Sequence, residues 1–213
     1  MAFSIEFPFL LKSGKAEAVL GRDNEQLAAL LHGPGYYAVK RGRVFSQATT
    51  PLGLAIPIYT STAPVGTVLW NPAGSDVNVI LKEGDIEQVS GVTAFGAIGL
   101  MVRTGVPATL GTGITAFAAT TPINGMPGKG QVSKINSSNA GTITVTAGVA
   151  AEWIRALASI HPEIDSTARA TTKTPLDFGD GLILPPGSLA WLACTVASVA
   201  LFAAHLVWEE EDA

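Results

Sequence analysis

SLAWLACTVASVALFAAHLVW, residues 188–208, decides what kind of protein this is. The stretch carries no charge apart from a titratable His205, and it is long enough to cross a bilayer as a helix. Three features of the sequence turn that reading aside. No Lys or Arg flanks the segment to set an orientation. Thr195, Ser198 and His205 would place polar groups in hydrocarbon. Leu184-Pro185-Pro186-Gly187 precedes it, a turn signal rather than a helix entry. The segment is therefore expected to form two antiparallel β-strands in a protein core, not a membrane anchor.

Upstream the same punctuation repeats. The chain has 213 residues, of which 23 are Gly and 13 are Pro, and from about Thr49 apolar runs of strand length alternate with turn clusters. Val77, Val79 and Leu81 alternate with Asn78 and Lys82, the period-2 pattern of a half-buried strand. Further strands are expected at Ala55–Thr60 (an edge or bulge because of Pro57), Thr67–Trp70, Phe95–Arg103, Ile114–Ala119, Thr142–Thr146, Leu182–Leu184, Ala190–Val196 and Val199–Trp208. Ala151–Ile160 has helix-forming residues but is read as strand in this company. Eight to ten strands without a fixed repeat suit an all-β, jelly-roll-like β-sandwich over residues 48–213.

Residues 1–47 differ, and are read as an N-terminal arm, extended and then helical, that either packs on a partner or caps its own domain. Phe3, Phe7, Phe9, Leu10 and Leu11 form an aromatic segment broken by Pro8. Asp23 followed by Gln26 is a capping-box pattern, Leu27, Leu30 and Leu31 share one helical face, and Gly33-Pro34 ends the helix. Tyr36–Val44 is either a second short helix or a basic connector.

Charge follows the same division. Residues 1–45 hold six Lys/Arg against four acids, while the remainder holds seven against thirteen. An acidic body with no basic stripe argues against nucleic acid as a partner, since neutralising phosphates needs clustered cations. The Lys40-Arg41-Gly42-Arg43 cluster is the one candidate for such binding, and reads as a solvated loop or a partner contact. No basic, apolar leader opens the sequence.

Chemistry-bearing patterns are sparse. The single Cys194 excludes a disulfide framework, a thiolate zinc site and a redox pair. His32, His161 and His205 stand far apart without metal-ligand spacing. Gly125-Met126-Pro127-Gly128-Lys129-Gly130 lacks the spacing of a phosphate loop, and Ser75 lacks the flanking glycines of a nucleophile elbow. Asp177 and Asp180 have the spacing of a polar loop as much as of a glycosidase pair. Asn136-Ser137-Ser138 matches a glycosylation sequon, too short a pattern to carry weight alone. No catalytic residue, metal or cofactor is expected.

Three stretches carry a resemblance. Leu69-Trp70-Asn71-Pro72-Ala73-Gly74-Ser75, Leu184-Pro185-Pro186-Gly187-Ser188 and Leu206-Val207-Trp208-Glu209-Glu210 resemble a group of uncharacterised tailed-bacteriophage proteins with an NPAGSG-type loop and a terminal VWEE-type strand. The basic Gly35–Arg43 segment resembles that group too, so the likeness spans about residues 33–210. Asp76 stands where a glycine is commoner. The resemblance implies a virion-associated β-sandwich of the capsid decoration or cement kind. Such a protein is made in the bacterial host cytoplasm, which agrees with the lone cysteine, and has the major capsid protein as partner. It transfers no catalytic residue. A receptor- or carbohydrate-binding fibre or tail module, and a hydrolase on the same scaffold, are the alternatives. A mean hydropathy of +0.36 points to apolar surface buried between subunits, in a homotrimer or, as second choice, a dimer. Phe3, Phe7 and Phe9 are expected to bury against a partner, with Lys40, Arg41 and Arg43 facing acidic groups.

Overall fold

The computed structural model describes residues 36–60, 66–91, 96–106, 114–116, 119–128, 130–139, 144–145, 152–160, 174–176, 178, 181–197 and 200–213. In chain order these form helix α1 (Tyr36–Lys40) and strands β1 (Val44–Ala48), β2 (Val68–Asn71), β3 (Val77–Ser90), β4 (Gly96–Arg103), β5 (Ile114–Ala116), β6 (Ile123–Asn124), β7 (Asn136–Ser138), β8 (Thr144–Val145), β9 (Glu152–Ile160), β10 (Thr174–Leu176), β11 (Leu182–Leu184), β12 (Ser188–Cys194) and β13 (Leu201–Asp212). The protein is all-β, with two antiparallel sheets packed as a sandwich. One sheet runs β10-β3-β13-β1-β6 with β11 also paired to β3, the other runs β7-β2-β12-β4-β9, and β5 pairs with β8 apart from both.

Residues 188–208 are indeed strands, but they do not pair with each other. β12 lies between β2 and β4, while β13 lies between β3 and β1 in the opposite sheet. β12 ends at Cys194 and β13 begins at Leu201, and the usual sheet separation of about 10 Å is one that a few residues can span. Two strands one short connection apart can therefore seat in different sheets instead of closing a hairpin. A second crossing runs the other way along this side. Leu54 bridges to Phe202 in one sheet and Ile58 bridges to Cys194 in the other. Ala55–Thr60 is thus a crossing segment with isolated bridges, not an edge strand.

Burial explains why the two halves of that apolar run read differently. In β13, Phe202, Ala204, Leu206 and Trp208 are buried, and Leu201, Ala203, His205 and Val207 are half-buried. They meet Val77, Val79, Leu81 and Ile86 of β3, Phe45 of β1, and Leu69, Ile98, Leu100, Ala190 and Leu192 from the facing sheet in one core. Phe45 and Trp208 are cross-strand partners with ring centroids 6.1 Å apart. Every residue of β12 is buried. Its other face belongs to a second cluster of Val68, Trp70, Met101, Val106, Leu189, Trp191 and Ala193. A strand covered on both faces has no reason to alternate, and its continuous apolar run imitates a membrane segment. Arg103 is the partner of Leu189 in the ladder and is equally buried. Desolvation lowers its pKa from the ordinary guanidinium value.

β1 sits between β13 and β6, so the sandwich begins at least as early as Val44, ahead of the composition shift at residue 48. The helix proposed at Asp23–Leu31 lies outside the described residues, while Tyr36–Val44 holds the short α1 before β1. Beside β1 the two sheets are tied by side chains. Gln47 Nε2 donates to Thr120 Oγ1, and the Thr120 and Ser137 backbones and hydroxyls bond each other. Among the described residues no helix is long and apolar enough to cross a membrane.

Candidate functional site

The three stretches that carry the resemblance meet at one end of the sandwich. β2 ends in Asn71, which is 1% exposed. Its Nδ2 donates to the Val77 carbonyl at 2.8 Å and to the Leu184 carbonyl at 3.0 Å, while its Oδ1 accepts from Ser75 Oγ. The Pro72–Ser75 turn, closed by Ser75 N to the Pro72 carbonyl at 3.1 Å, holds that serine in place. Asn71 belongs to one sheet, and both carbonyls that it holds belong to strands of the other. The Leu184–Ser188 turn packs on the same point, with Gly187 N donating to the Asn71 carbonyl at 2.8 Å. Gly187 has φ +82°, and a Cβ there would sit 3.3 Å from the Val106 carbonyl oxygen, so glycine fits on both counts. Asp76 is left-handed as well, at φ +57°. Aspartate is one of the few residue types besides glycine that tolerate the conformation.

The VWEE stretch completes the same end. Glu210 is 5% exposed and pairs in register with Val79. Its carboxylate accepts from Ser133 Oγ at 2.5 Å, Lys134 N at 2.8 Å and Trp208 Nε1 at 3.2 Å. Glu209 takes Lys82 at 2.8 Å, and Asp212 takes Arg43 at 3.2 Å and Lys134 at 3.6 Å. These acids satisfy donors of their own chain. The motif residues are joints between elements.

Of the expected contact residues, Phe3, Phe7 and Phe9 lie outside the described residues. Lys40, Arg41 and Arg43 come together where α1 turns into β1, but they are not equivalent. Arg43 faces an acid of its own chain, Asp212. Lys40 closes α1 with its Nζ 6.0 Å from the Tyr36 ring centroid. Arg41 is exposed on the turn. Around them the structure adds residues that the charge pattern does not reveal. Tyr36 is 39% exposed, Ile123 68% and Val132 86%. Asn124 fixes this corner, its Nδ2 donating to the Gly42 carbonyl at 2.7 Å and the Gln131 carbonyl at 3.0 Å, and its Oδ1 accepting from Met126 N at 2.8 Å. Within the glycine-rich 125–130 stretch, Gly130 N closes a turn on the Met126 carbonyl at 2.9 Å. The stretch shapes the corner and does not follow the strand-to-helix path of a phosphate loop.

Groups with chemical potential are otherwise engaged. His205 Nδ1 lies 3.4 Å from Asp85 on the outer face of the six-stranded sheet. Cys194 is buried and donates to the Val196 carbonyl at 2.7 Å. Desolvation pushes its thiol pKa up, and backbone hydrogen bonds offset part of the rise. Asn136 lies half-buried in β7, paired to Trp70, a poor position for a glycan acceptor. His32, His161, Asp177 and Asp180 fall outside the described residues. Among the described residues no group of three or more His, Cys, Asp or Glu side chains is placed to hold a metal ion. No protein-family model, curated protein or solved structure matches the chain.

Proposed function

We propose that the chain is a bacteriophage structural protein, a capsid decoration or cement protein that stabilises the head through protein–protein contacts. It acts without enzymatic chemistry on a jelly-roll-like sandwich. The observation that carries this reading is the α1–β6 corner. There, exposed apolar side chains and cations stand on a framework held by hydrogen bonds, the form of an adhesive surface. The resemblance of the joint-forming stretches to tailed-phage proteins supports the setting. The virion would be its location and the major capsid protein its partner, with self-association as a homotrimer, or a dimer as second choice.

In this reading Phe3, Phe7 and Phe9 anchor the arm on the capsid or a neighbouring subunit. Anchors of this kind typically cost about 2 kcal/mol or more on truncation. Deleting residues 1–20 tests it, with binding to heads lacking the protein measured beside the melting temperature of the free chain. Lost binding at an unchanged melting temperature is expected. Unchanged binding with a lowered melting temperature makes the segment a cap on its own domain and overturns the arm. Full-length chain that ignores heads but binds host cells or glycans would replace this reading by the receptor-binding one.

A further inference from the structure

Three of the six large hydrophobic side chains exposed among the described residues, Tyr36, Ile123 and Val132, stand at the α1–β6 corner. The chain brings them together through one side chain, since Asn124 follows Ile123 and bonds the carbonyls of Gly42 and Gln131. Lys40, Arg41 and Lys134 are exposed beside them. Lys134 and Arg43 share Asp212. Lys40 and Arg41 have no carboxylate partner among the described residues.

The opposite edge of the same sheet has the complementary character. Ile183 of β11 is 58% exposed and pairs with Ile80 of β3. Further along β3, Glu83, Asp85 and Glu87 register with Val207, His205 and Ala203, while Gly84 and Ile86 between them are buried. The three acids therefore share the outward face at alternate positions, an arrangement that is repulsive when left uncompensated. Lys82 is already engaged by Glu209 at 2.8 Å, and His205 meets only Asp85 at 3.4 Å. Lys40 and Arg41 of the corner pair with none of these acids among the described residues.

We propose that copies of this chain associate head to tail, the α1–β6 corner of one seated on the β3–β11 edge of the next. Tyr36, Ile123 and Val132 meet the apolar strip at Ile183 and Ile80, while Lys40 and Arg41 meet Glu83, Asp85 and Glu87. A contact between two different surfaces of one chain closes into a ring when its rotation permits. It thereby supplies the interface that a homotrimer needs. The inference rests on the reading of the chain as a self-associating structural protein and identifies which surfaces do the associating.

Sedimentation velocity of the full chain at micromolar concentration tests it. Lys40→Glu/Arg41→Glu and Glu83→Lys/Glu87→Lys should each weaken association about tenfold or more, because each pairs like charges across the contact. The chain carrying all four changes again sets opposite charges at positions 83 and 87 against 40 and 41, with Asp85 left to His205 of its own chain, and should recover much of the lost association. Ile123→Asp should weaken association even at high salt, where the charges are screened. Melting temperatures close to that of the parent confirm that each variant is folded. Association untouched by either charge pair, a four-change chain that stays dissociated, or a parent chain that is monomeric overturns the proposal. Binding to heads, followed separately with the residue 1–20 deletion, stands or falls independently of these outcomes.

Discussion

Replacing Asn71 by alanine should be among the most damaging single changes to this fold that leave the apolar core untouched. The side chain donates to the carbonyls of Val77 at 2.8 Å and Leu184 at 3.0 Å from a position 1% exposed. Alanine removes both donors and leaves two buried carbonyls short of a partner. Each such loss costs about 1–3 kcal/mol, so the pair amounts to about 4 kcal/mol. For a domain of this size about 2–4 °C of melting temperature accompanies each kcal/mol, giving a fall of about 8–16 °C. Asn71→Asp separates the two halves of the interaction, since it keeps an acceptor for Ser75 but loses the donors and brings a buried charge. It should be at least as destabilising as alanine, whereas Ser75→Ala should cost only about 1 kcal/mol. Urea titration and thermal melts followed by circular dichroism measure all three. A loss below about 1 kcal/mol for Asn71→Ala, or Ser75→Ala falling as far as Asn71→Ala, would refute the claim that this amide joins the two sheets.

Gly84→Ala should lower stability by about 2–4 kcal/mol, because the new Cβ would lie 2.7 Å from the His205 carbonyl oxygen and 2.8 Å from Leu206 Cδ2; a melt within 2 °C of the parent would contradict it. Glu210→Ala should cost about 2–3 kcal/mol by stranding the donors on Ser133, Lys134 and Trp208, with faster proteolytic nicking near Val132 as the local readout. Cys194 should resist alkylation in the folded chain and react once urea unfolds it, since the thiol is buried and desolvation raises its pKa. Labelling at the same rate with and without denaturant would contradict that burial.

The sequence pattern reaches the strands more surely than their arrangement. Pro185-Pro186-Gly187, the absence of flanking Lys or Arg and the polar Thr195, Ser198 and His205 separate strand from membrane helix at residues 188–208. Periodicity says which face of a strand is buried but not which sheet it joins, so the separation of β12 from β13 was beyond it. Ala151–Ile160 shows tertiary context overriding propensity, since helix-forming Glu, Ala, Leu and Arg lie in β9 against β4. Thr142–Thr146 looks like an ideal strand, yet the described part is the two-residue β8 paired only with β5. Propensity does not supply a neighbour. Val44–Ala48 contains Ser46 and Gln47 and resembles a connector, although it lies inside a sheet. Of the candidate site, the basic cluster is visible as a charge run. Ile123 and Val132 are not, because their exposure depends on how Asn124 reaches Gly42, 82 positions away.

The pairing of β1 with β13 has a consequence for when this protein can exist at all. Arg43 and Asp212 meet across 169 positions of chain, and β13 fills the place between β1 and β3. On the ribosome, the two earlier strands must wait without the neighbour that joins them until β13 has been made. The six-stranded sheet therefore cannot close until Leu201–Asp212 has been made, through a long-range loop closure, and such pairing is slow. Both surfaces assigned to self-association lie on that sheet. Were copies to associate as proposed, their joining would wait until β13 is in place.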